Sequence, residues 1–193
     1  MDMSKFTASY ITKLIHLLQN IDVKQICDIQ QVIEESIQRG SKIYIIGNGG
    51  SAATASHMVN DLGAGLRRRK IINFDVISLA DNVAVTTAIA NDIGYENIFY
   101  MQLEGLLKPE DLIIAISCSG NSPNILKAVE YAQKIGSTII GITGFDGGNL
   151  KNLSDINFHV DAPKGEYGLV EDMHMILDHI IYSYYIHKGT QDV

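Results

Sequence analysis

Residues 42–57 read Lys-Ile-Tyr-Ile-Ile-Gly-Asn-Gly-Gly-Ser-Ala-Ala-Thr-Ala-Ser-His. An apolar run, Ile43-Tyr44-Ile45-Ile46, passes straight into Gly47-Asn48-Gly49-Gly50-Ser51-Ala52 and then into a helix-forming stretch. A strand too apolar to have a wet face belongs in a sheet covered on both sides. The glycines let the turn tighten and bring backbone N–H groups close to a ligand, and the helix start adds partial positive charge, so an anion is easily held here. Taken alone, the loop also fits a tight turn without a ligand. A dinucleotide site is a further reading, because Gly47, Gly49 and Ala52 satisfy the relaxed fingerprint and Asp75 stands where a ribose acceptor would.

Outward from this stretch the same alternation recurs. Phe74-Asp75-Val76-Ile77, Leu112-Ile113-Ile114-Ala115-Ile116, Thr138-Ile139-Ile140-Gly141-Ile142 and Ile156-Asn157-Phe158-His159-Val160 are β-rich runs separated by helical stretches. That pattern predicts an α/β fold with a five-stranded parallel sheet, right-handed crossovers and ligands at the C-terminal strand ends. Upstream, two stripes at helical spacing, Phe6, Tyr10, Leu14, Leu17, Leu18 and Val23, Ile26, Ile29, Ile33, Ile37, predict N-terminal helices over residues 1–40, closed by Gly40. Their apolar faces need the flank of the sheet or another subunit. No linker or repeat divides the chain, so residues 1–193 read as a single domain.

The third strand ends in Ser117-Cys118-Ser119-Gly120-Asn121-Ser122-Pro123, with the proline placed for the first turn of a helix. Hydroxyls, free amides and a helix N-terminus together satisfy several oxygens of a terminal phosphate without lysine. A dinucleotide fold has no need of this second serine-rich loop, and no Walker G-x-x-x-x-G-K sequence occurs, so a phosphomonoester is expected and no nucleotide cofactor. Cys118 has no adjacent histidine and reads as a small packing residue lining this loop.

Composition bounds the partners. The chain has 193 residues, 46% hydrophobic and 19% charged, enough for a full core without disulfides. A net charge of -7 argues against nucleic acid or an anionic membrane surface as partner. The basic run Arg67-Arg68-Arg69-Lys70 reads first as a solvated loop, with a local anion or interface patch as the alternative. Two distant cysteines, Cys27 and Cys118, fit a reducing cytoplasm, and no apolar segment approaches the roughly 18 residues of a membrane span.

Gly47-Asn48-Gly49-Gly50-Ser51 followed by Ser117-Cys118-Ser119-Gly120-Asn121-Ser122 resembles the sugar isomerase (SIS) domains. Ser51-Ala52-Ala53 with His57, Ala90-Asn91-Asp92, and Glu171-Asp172-x-His174 with His179 narrow the likeness to the sedoheptulose 7-phosphate isomerase, or phosphoheptose isomerase, family. The resemblance implies a flavodoxin-like three-layer sandwich, a homotetramer with sites between subunits, and isomerisation of sedoheptulose 7-phosphate to D-glycero-D-manno-heptose 7-phosphate for surface polysaccharide. A non-catalytic phosphosugar-binding regulator and an isomerase of another phosphosugar are the alternatives.

Ketose–aldose interconversion needs a base beside the carbonyl, a group that returns the proton to the adjacent carbon, and stabilisation of the enediolate between them. His57 and Asp61, four apart on a helix, share a face. On the final helix, about Leu169 to His187, Met173, Ile176, Leu177, Ile180 and Tyr184 form an apolar face with Glu171, Asp178 and His179 mostly opposite, so a site there requires a covering subunit. The resemblance makes Asp61 the base, where the family usually carries Glu, and His179 the acid. It places the substrate among Asn48, Gly49, Gly50, Ser51, His57, Asn91, Asp92, Ser117, Cys118, Ser119, Ser122 and Glu171, in addition to the proton-transfer pair. Some members hold zinc on residues matching His57, Asp61, Glu171 and His179, donor types that suit Zn²⁺. Glu171 and His179 lie about 12 Å apart in helical rise, so their convergence requires bent side chains or a later helix start. His174 and Asp178 form another four-residue pair, read as supporting or structural.

Overall fold

The computed structural model describes residues 2–191. Two helices open the chain, α1 (Met3–Gln19) and α2 (Val23–Arg39), and their ends follow from local chemistry. The Asp2 and Asp22 carboxylates accept from the backbone N–H of Ser4 and Lys24, and Gly40 at φ 65 closes α2 in the left-handed region. Ile26, Ile29 and Ile33 of α2 are buried, as the stripe predicts, whereas α1 has no buried residue.

The remaining elements are β1 (Lys42–Gly47), α3 (Gly50–Met58), a π-helical stretch (Val59–Gly65), α4 (Leu66–Arg68), β2 (Asp75–Ser78), α5 (Val83–Ile93), a 3₁₀ turn (Tyr95–Asn97) and α6 (Tyr100–Leu103). They continue with β3 (Leu112–Ser117), α7 (Pro123–Ile135), β4 (Thr138–Gly144), α8 (Gly148–Leu153), β5 (Ile156–Val160) and α9 (Tyr167–Gln191). The five strands pair in parallel in the order β2-β1-β3-β4-β5. Period-two alternation divides their side chains between two cores. Ile43, Ile45, Ile114 and Ile140 face α2, α3 and α9, while Tyr44, Ile46, Ile113 and Ile139 face α6, α7 and α8. Each fully buried isoleucine contributes about 2 kcal/mol. The result is the expected three-layer sandwich.

Strand order reverses at β1, which has β2 on one side and β3 on the other, so the loops leaving β1 and β3 flank a crevice at their C-terminal ends. The pairing of Gly47 with Ile116 sets the glycine loop beside the serine loop.

Two local features depart from the sequence reading. Helix α3 continues as a π turn where an unbroken α-helix is expected; Gly63 and Gly65 let this segment approach β2 and α9, since an added Cβ would meet Val76 Cγ1 at 2.9 Å and Tyr182 Cε2 at 3.2 Å. On α9 the buried stripe is Met173, Leu177, Ile181 and Tyr185, with Ile180 and Tyr184 exposed. The helix has rotated relative to the expected face because it is covered from several sides, and α3 and the π stretch of the same chain pack on its polar side. Among the described residues, no helix is long and apolar enough to cross a membrane.

Candidate active site

The crevice holds a cavity of about 200 Å³ between Asn48, Ser51, Ser117, Ser119, Ser122 and Glu171, with Cys118 and Tyr167 also in its wall. Gly47 is needed for the turn beneath it, because a Cβ there would lie 2.6 Å from the Ser51 carbonyl oxygen. Gly49 sits at φ 54 and ψ -120, a conformation that side chains resist, and it starts α3 without a side-chain cap. Helix α7 likewise starts at Ser122 without one, with Pro123 in its first turn. Two helix N-termini and four serine residues thus converge on one small cavity, and none of its lining residues is Lys or Arg. Such an arrangement can hold one phosphate group rather than a polyanion. The Ser117 and Ser122 hydroxyls lie 3.4 Å apart, close enough to share an oxygen. Burial, and then the Glu171 charge, push the Cys118 thiol up to about 11, which removes it as a nucleophile at neutral pH.

A second cluster lies farther along the same pair of packed helices. One donor atom each from His57, Asp61, Asp178 and His179 falls within 4.8 Å of the others. The two imidazole Nε2 atoms are 3.1 Å apart, and His57 Nε2 is 3.5 Å from Asp61 Oδ2 and 4.0 Å from Asp178 Oδ2. Asp61 Oδ1 accepts from the Asn60 amide at 2.9 Å, which fixes the carboxylate plane. Burial, and then the charge of Asp61, push Asp178 up to about 7. His174 is a different case: its ring is buried, its Nε2 lies 3.2 Å from the Thr143 carbonyl, and burial holds it down to about 4, so it stays neutral.

The structure brings His57, Asp61 and His179 together and puts Asn48, Ser51, Ser117, Cys118, Ser119, Ser122 and Glu171 around the cavity, with Gly49 and Gly50 in the turn beneath. Glu171 is not in the metal-capable group; its carboxylate lies over Gly50, because eight residues of α9 separate it from His179. Asp178 stands in the group instead. Asn91 and Asp92 are exposed near the end of α5, bonded to each other at 2.8 Å, and do not line the cavity. Asn124 and Tyr95 escaped the sequence reading: the Asn48 and Asn124 amides exchange hydrogen bonds of 2.9 and 2.8 Å, and the Tyr95 hydroxyl donates to Asn48 Oδ1 at 2.9 Å. Their only sequence signal is position, one on the first turn of α7 and the other just past α5.

Gly50→Ala tests the place of Glu171. An added Cβ would fall 2.3 Å from the Glu171 carboxylate, the movable end of a long side chain. The variant is expected to stay within about 1 kcal/mol of the parent in thermal unfolding, since alanine favours a helix, while raising KM for a phosphosugar about 10-fold by displacing Glu171.

The cradle and the cluster have a defined spacing. Ser51 and His57 lie on α3, about 9 Å apart in rise, and Glu171 and Asp178 lie on α9, about 10 Å apart.

A family model described as the SIS domain matches residues 9–144. The phosphoheptose isomerase of Trichlorobacter lovleyi is 36% identical over 182 residues, covering 91% of this chain and 92% of that protein. That of Helicobacter pylori strain P12 is 41% identical over 147 residues, covering 76% and 75%. Among solved structures, the phosphoheptose isomerase of Neisseria gonorrhoeae superposes with a TM-score of 0.86 at 26% identity, covering 96% of this chain and all of the other.

Proposed function

The chain belongs to the SIS domain family and, within it, to the phosphoheptose isomerases, and from that premise we propose that it interconverts sedoheptulose 7-phosphate and D-glycero-D-manno-heptose 7-phosphate for heptose biosynthesis. The spacing of the two ends carries this reading. An open seven-carbon chain with a terminal phosphate advances roughly 1.3 Å per bond and spans on the order of 10 Å. With its phosphate in the serine and glycine loops, it puts C1 and C2 at the His57–His179 cluster. A triose phosphate reaches only about half that distance.

Asp61 takes a proton from C1 of the ketose and the electron pair moves onto the C2 oxygen to give the enediolate; the hydroxyl proton passes from O1 to O2, His179 supplies the proton at C2 as the C1 aldehyde forms, and the proton held by Asp61 then restores His179. No co-reactant is consumed. Glu171 and the Asn48 amide, which Asn124 holds in place, bond sugar hydroxyls, while Ser51, Ser117, Ser119 and Ser122 with the two helix starts hold the phosphate. The N···N and nearest N···O separations of 3.1 and 3.5 Å are close to the ~3.3 Å edge of a tetrahedron with zinc–ligand bonds of about 2.0–2.1 Å. His57, Asp61 and His179 therefore fit a Zn²⁺ ion, which when bound supplies Lewis-acid stabilisation of the carbonyl and enediolate oxygens. Both cysteines are free thiols, in keeping with a reducing cytoplasm.

The deciding experiment is incubation with sedoheptulose 7-phosphate and assay for the aldose, alongside pentulose and hexulose phosphates. Aldoheptose 7-phosphate is expected, with the shorter ketoses turned over at least about 10-fold less efficiently. Binding of the heptulose without any aldose refutes the reading in favour of a phosphosugar-binding regulator.

We read the protein as a homo-oligomer, a tetramer by the family resemblance. Helix α1 exposes Phe6, Ile11 and Ile15 at 50, 51 and 48%, and an apolar hollow of about 590 Å³ beside it is walled by Leu18, Val23, Ile26, Ile180 and Tyr184. Contiguous apolar surface of this kind is what a subunit interface covers. An Ile11→Glu, Ile15→Glu double variant is expected to lower the mass measured by light scattering to that of a smaller assembly; a monomeric parent protein refutes the oligomer.

A further inference from the structure

The hydrogen-bonding capacity of Asn48 is almost fully assigned by its neighbours, and the assignment starts from a group that has no choice. Ile125 N–H, in the first turn of α7, can only donate, and it donates to Asn124 Oδ1 at 3.0 Å. That contact fixes which end of the buried Asn124 amide is oxygen. Asn124 Nδ2 then faces Asn48 Oδ1 at 2.8 Å, and Asn48 Nδ2 donates back to Asn124 Oδ1 at 2.9 Å. The Tyr95 hydroxyl donates to the same Asn48 oxygen at 2.9 Å. A carbonyl oxygen has two lone pairs and both are used; an amide nitrogen has two hydrogens, and among the described residues only one finds an acceptor. Asn48 therefore meets the cavity that it lines as a donor only.

We propose that Tyr95 is a positioning residue for the sugar: by filling the last acceptor valence of Asn48, it keeps that amide presenting N–H to an oxygen of the ligand. The hydroxyl is the part that acts. Tyr95 is 54% exposed, so its ring contributes little to the core, and phenylalanine differs from it only by the oxygen. Its placement is nonetheless fixed. Gly94 at φ 100 turns the chain out of α5, and the 3₁₀ turn that follows carries the buried Asn97, whose Oδ1 accepts from Lys127 Nζ of α7 at 2.5 Å. Ile98 and Phe99, directly after the turn, are buried. Tyr95 and Asn124 thus reach Asn48 from one packed unit, the 3₁₀ turn on α7, and an amide held by two partners loses little freedom when a ligand binds. Without the hydroxyl, Asn48 Oδ1 recovers a lone pair and Asn124 alone holds the amide, which lowers affinity for a ligand oxygen that needs a donor.

The proposal deepens the isomerase reading and rests on its phosphosugar ligand. The test is a double-mutant cycle on the full chain, with sedoheptulose 7-phosphate as the probe, read as Kd by calorimetry and as KM and kcat by assay. Tyr95→Phe is expected to raise Kd and KM together by about 3- to 10-fold, the worth of one hydrogen bond, with kcat within about 2-fold. Its Tm is expected to stay within about 2 °C of the parent's, as for an exposed site. Asn48→Ala and Asn48→Ser are each expected to weaken binding by about 10-fold or more. Adding Tyr95→Phe to either is expected to change Kd by less than about 2-fold, because no amide is left to position. The proposal is overturned by a Tyr95→Phe variant that keeps the parent's Kd and KM, or by one that loses kcat instead. Effects that add across the cycle overturn it too, since Tyr95 would then act on the ligand or the fold without Asn48. A parent that binds the sugar but does not convert it fails the isomerase reading, while the Kd cycle still decides the role of Tyr95. A parent that binds no phosphosugar overturns both.

Discussion

Asp61→Asn and His179→Gln are each expected to lower kcat for the heptulose phosphate by about 10²–10⁴-fold while folding as the parent does. Asparagine preserves the shape of Asp61 and can still accept from the Asn60 amide at the Oδ1 position, so the local hydrogen bond survives. What disappears is the negative charge that accepts a proton and draws the site's cations. His179 is exposed, so glutamine there removes the titrating ring without opening a cavity. The phosphate cradle lies about 10 Å away and is untouched by either change, so KM is expected to move only a few-fold. Stopped-time assays with circular dichroism on the same samples separate chemistry from folding. Full turnover by either folded variant sinks the assignment of base and acid.

Gly120→Ala is expected to destabilise the protein by about 3 kcal/mol, which for a chain of this size lowers Tm by about 10 °C. Gly120 has φ 61, and an added Cβ would stand 1.9 Å from the Gly147 carbonyl oxygen, a backbone atom that has no free rotation with which to retreat. The same residue links the loops after β3 and β4, since its N–H donates to the Ser117 carbonyl at 3.1 Å and its carbonyl accepts from Leu150 N–H at 2.9 Å. Moving either loop displaces Ser117 and Ser119. Surviving variant protein is therefore expected to bind inorganic phosphate and the phosphosugar more weakly, measured by calorimetry. An alanine variant with the parent's Tm and affinity would show that the serine loop tolerates displacement.

The sheet was legible because β1, β3 and β4 are covered on both faces and so read as continuous apolar runs; β5 matches its expected bounds, Ile156–Val160. The pairing of the two loops proposed to hold the phosphate was legible for a related reason. Gly47-Asn48-Gly49-Gly50-Ser51 and Ser117-Cys118-Ser119-Gly120-Asn121-Ser122 are local backbone devices, each complete within one strand-to-helix turn, and the resemblance to SIS domains rests on them. Asp178 was not legible as a site residue. On a helical wheel it sits on a polar face and reads as solvated, and only the packing of α3 on α9 buries it. The π turn was equally hidden, because periodicity shows that a helix continues but not how tightly it winds.

Sequence alone determined the layers, the parallel sheet, the glycine and serine loops and the residue types able to move a proton, since these depend on side-chain period and on chemistry within a few residues. Tertiary structure alone decided which carboxylates share a site. Glu171 and Asp178 are the same kind of acid on one helix, but seven residues of rise put one against the cavity between the glycine and serine loops and the other, fully buried, among the histidines. Burial and proximity across elements are properties of packing, and no spacing within one helix encodes them.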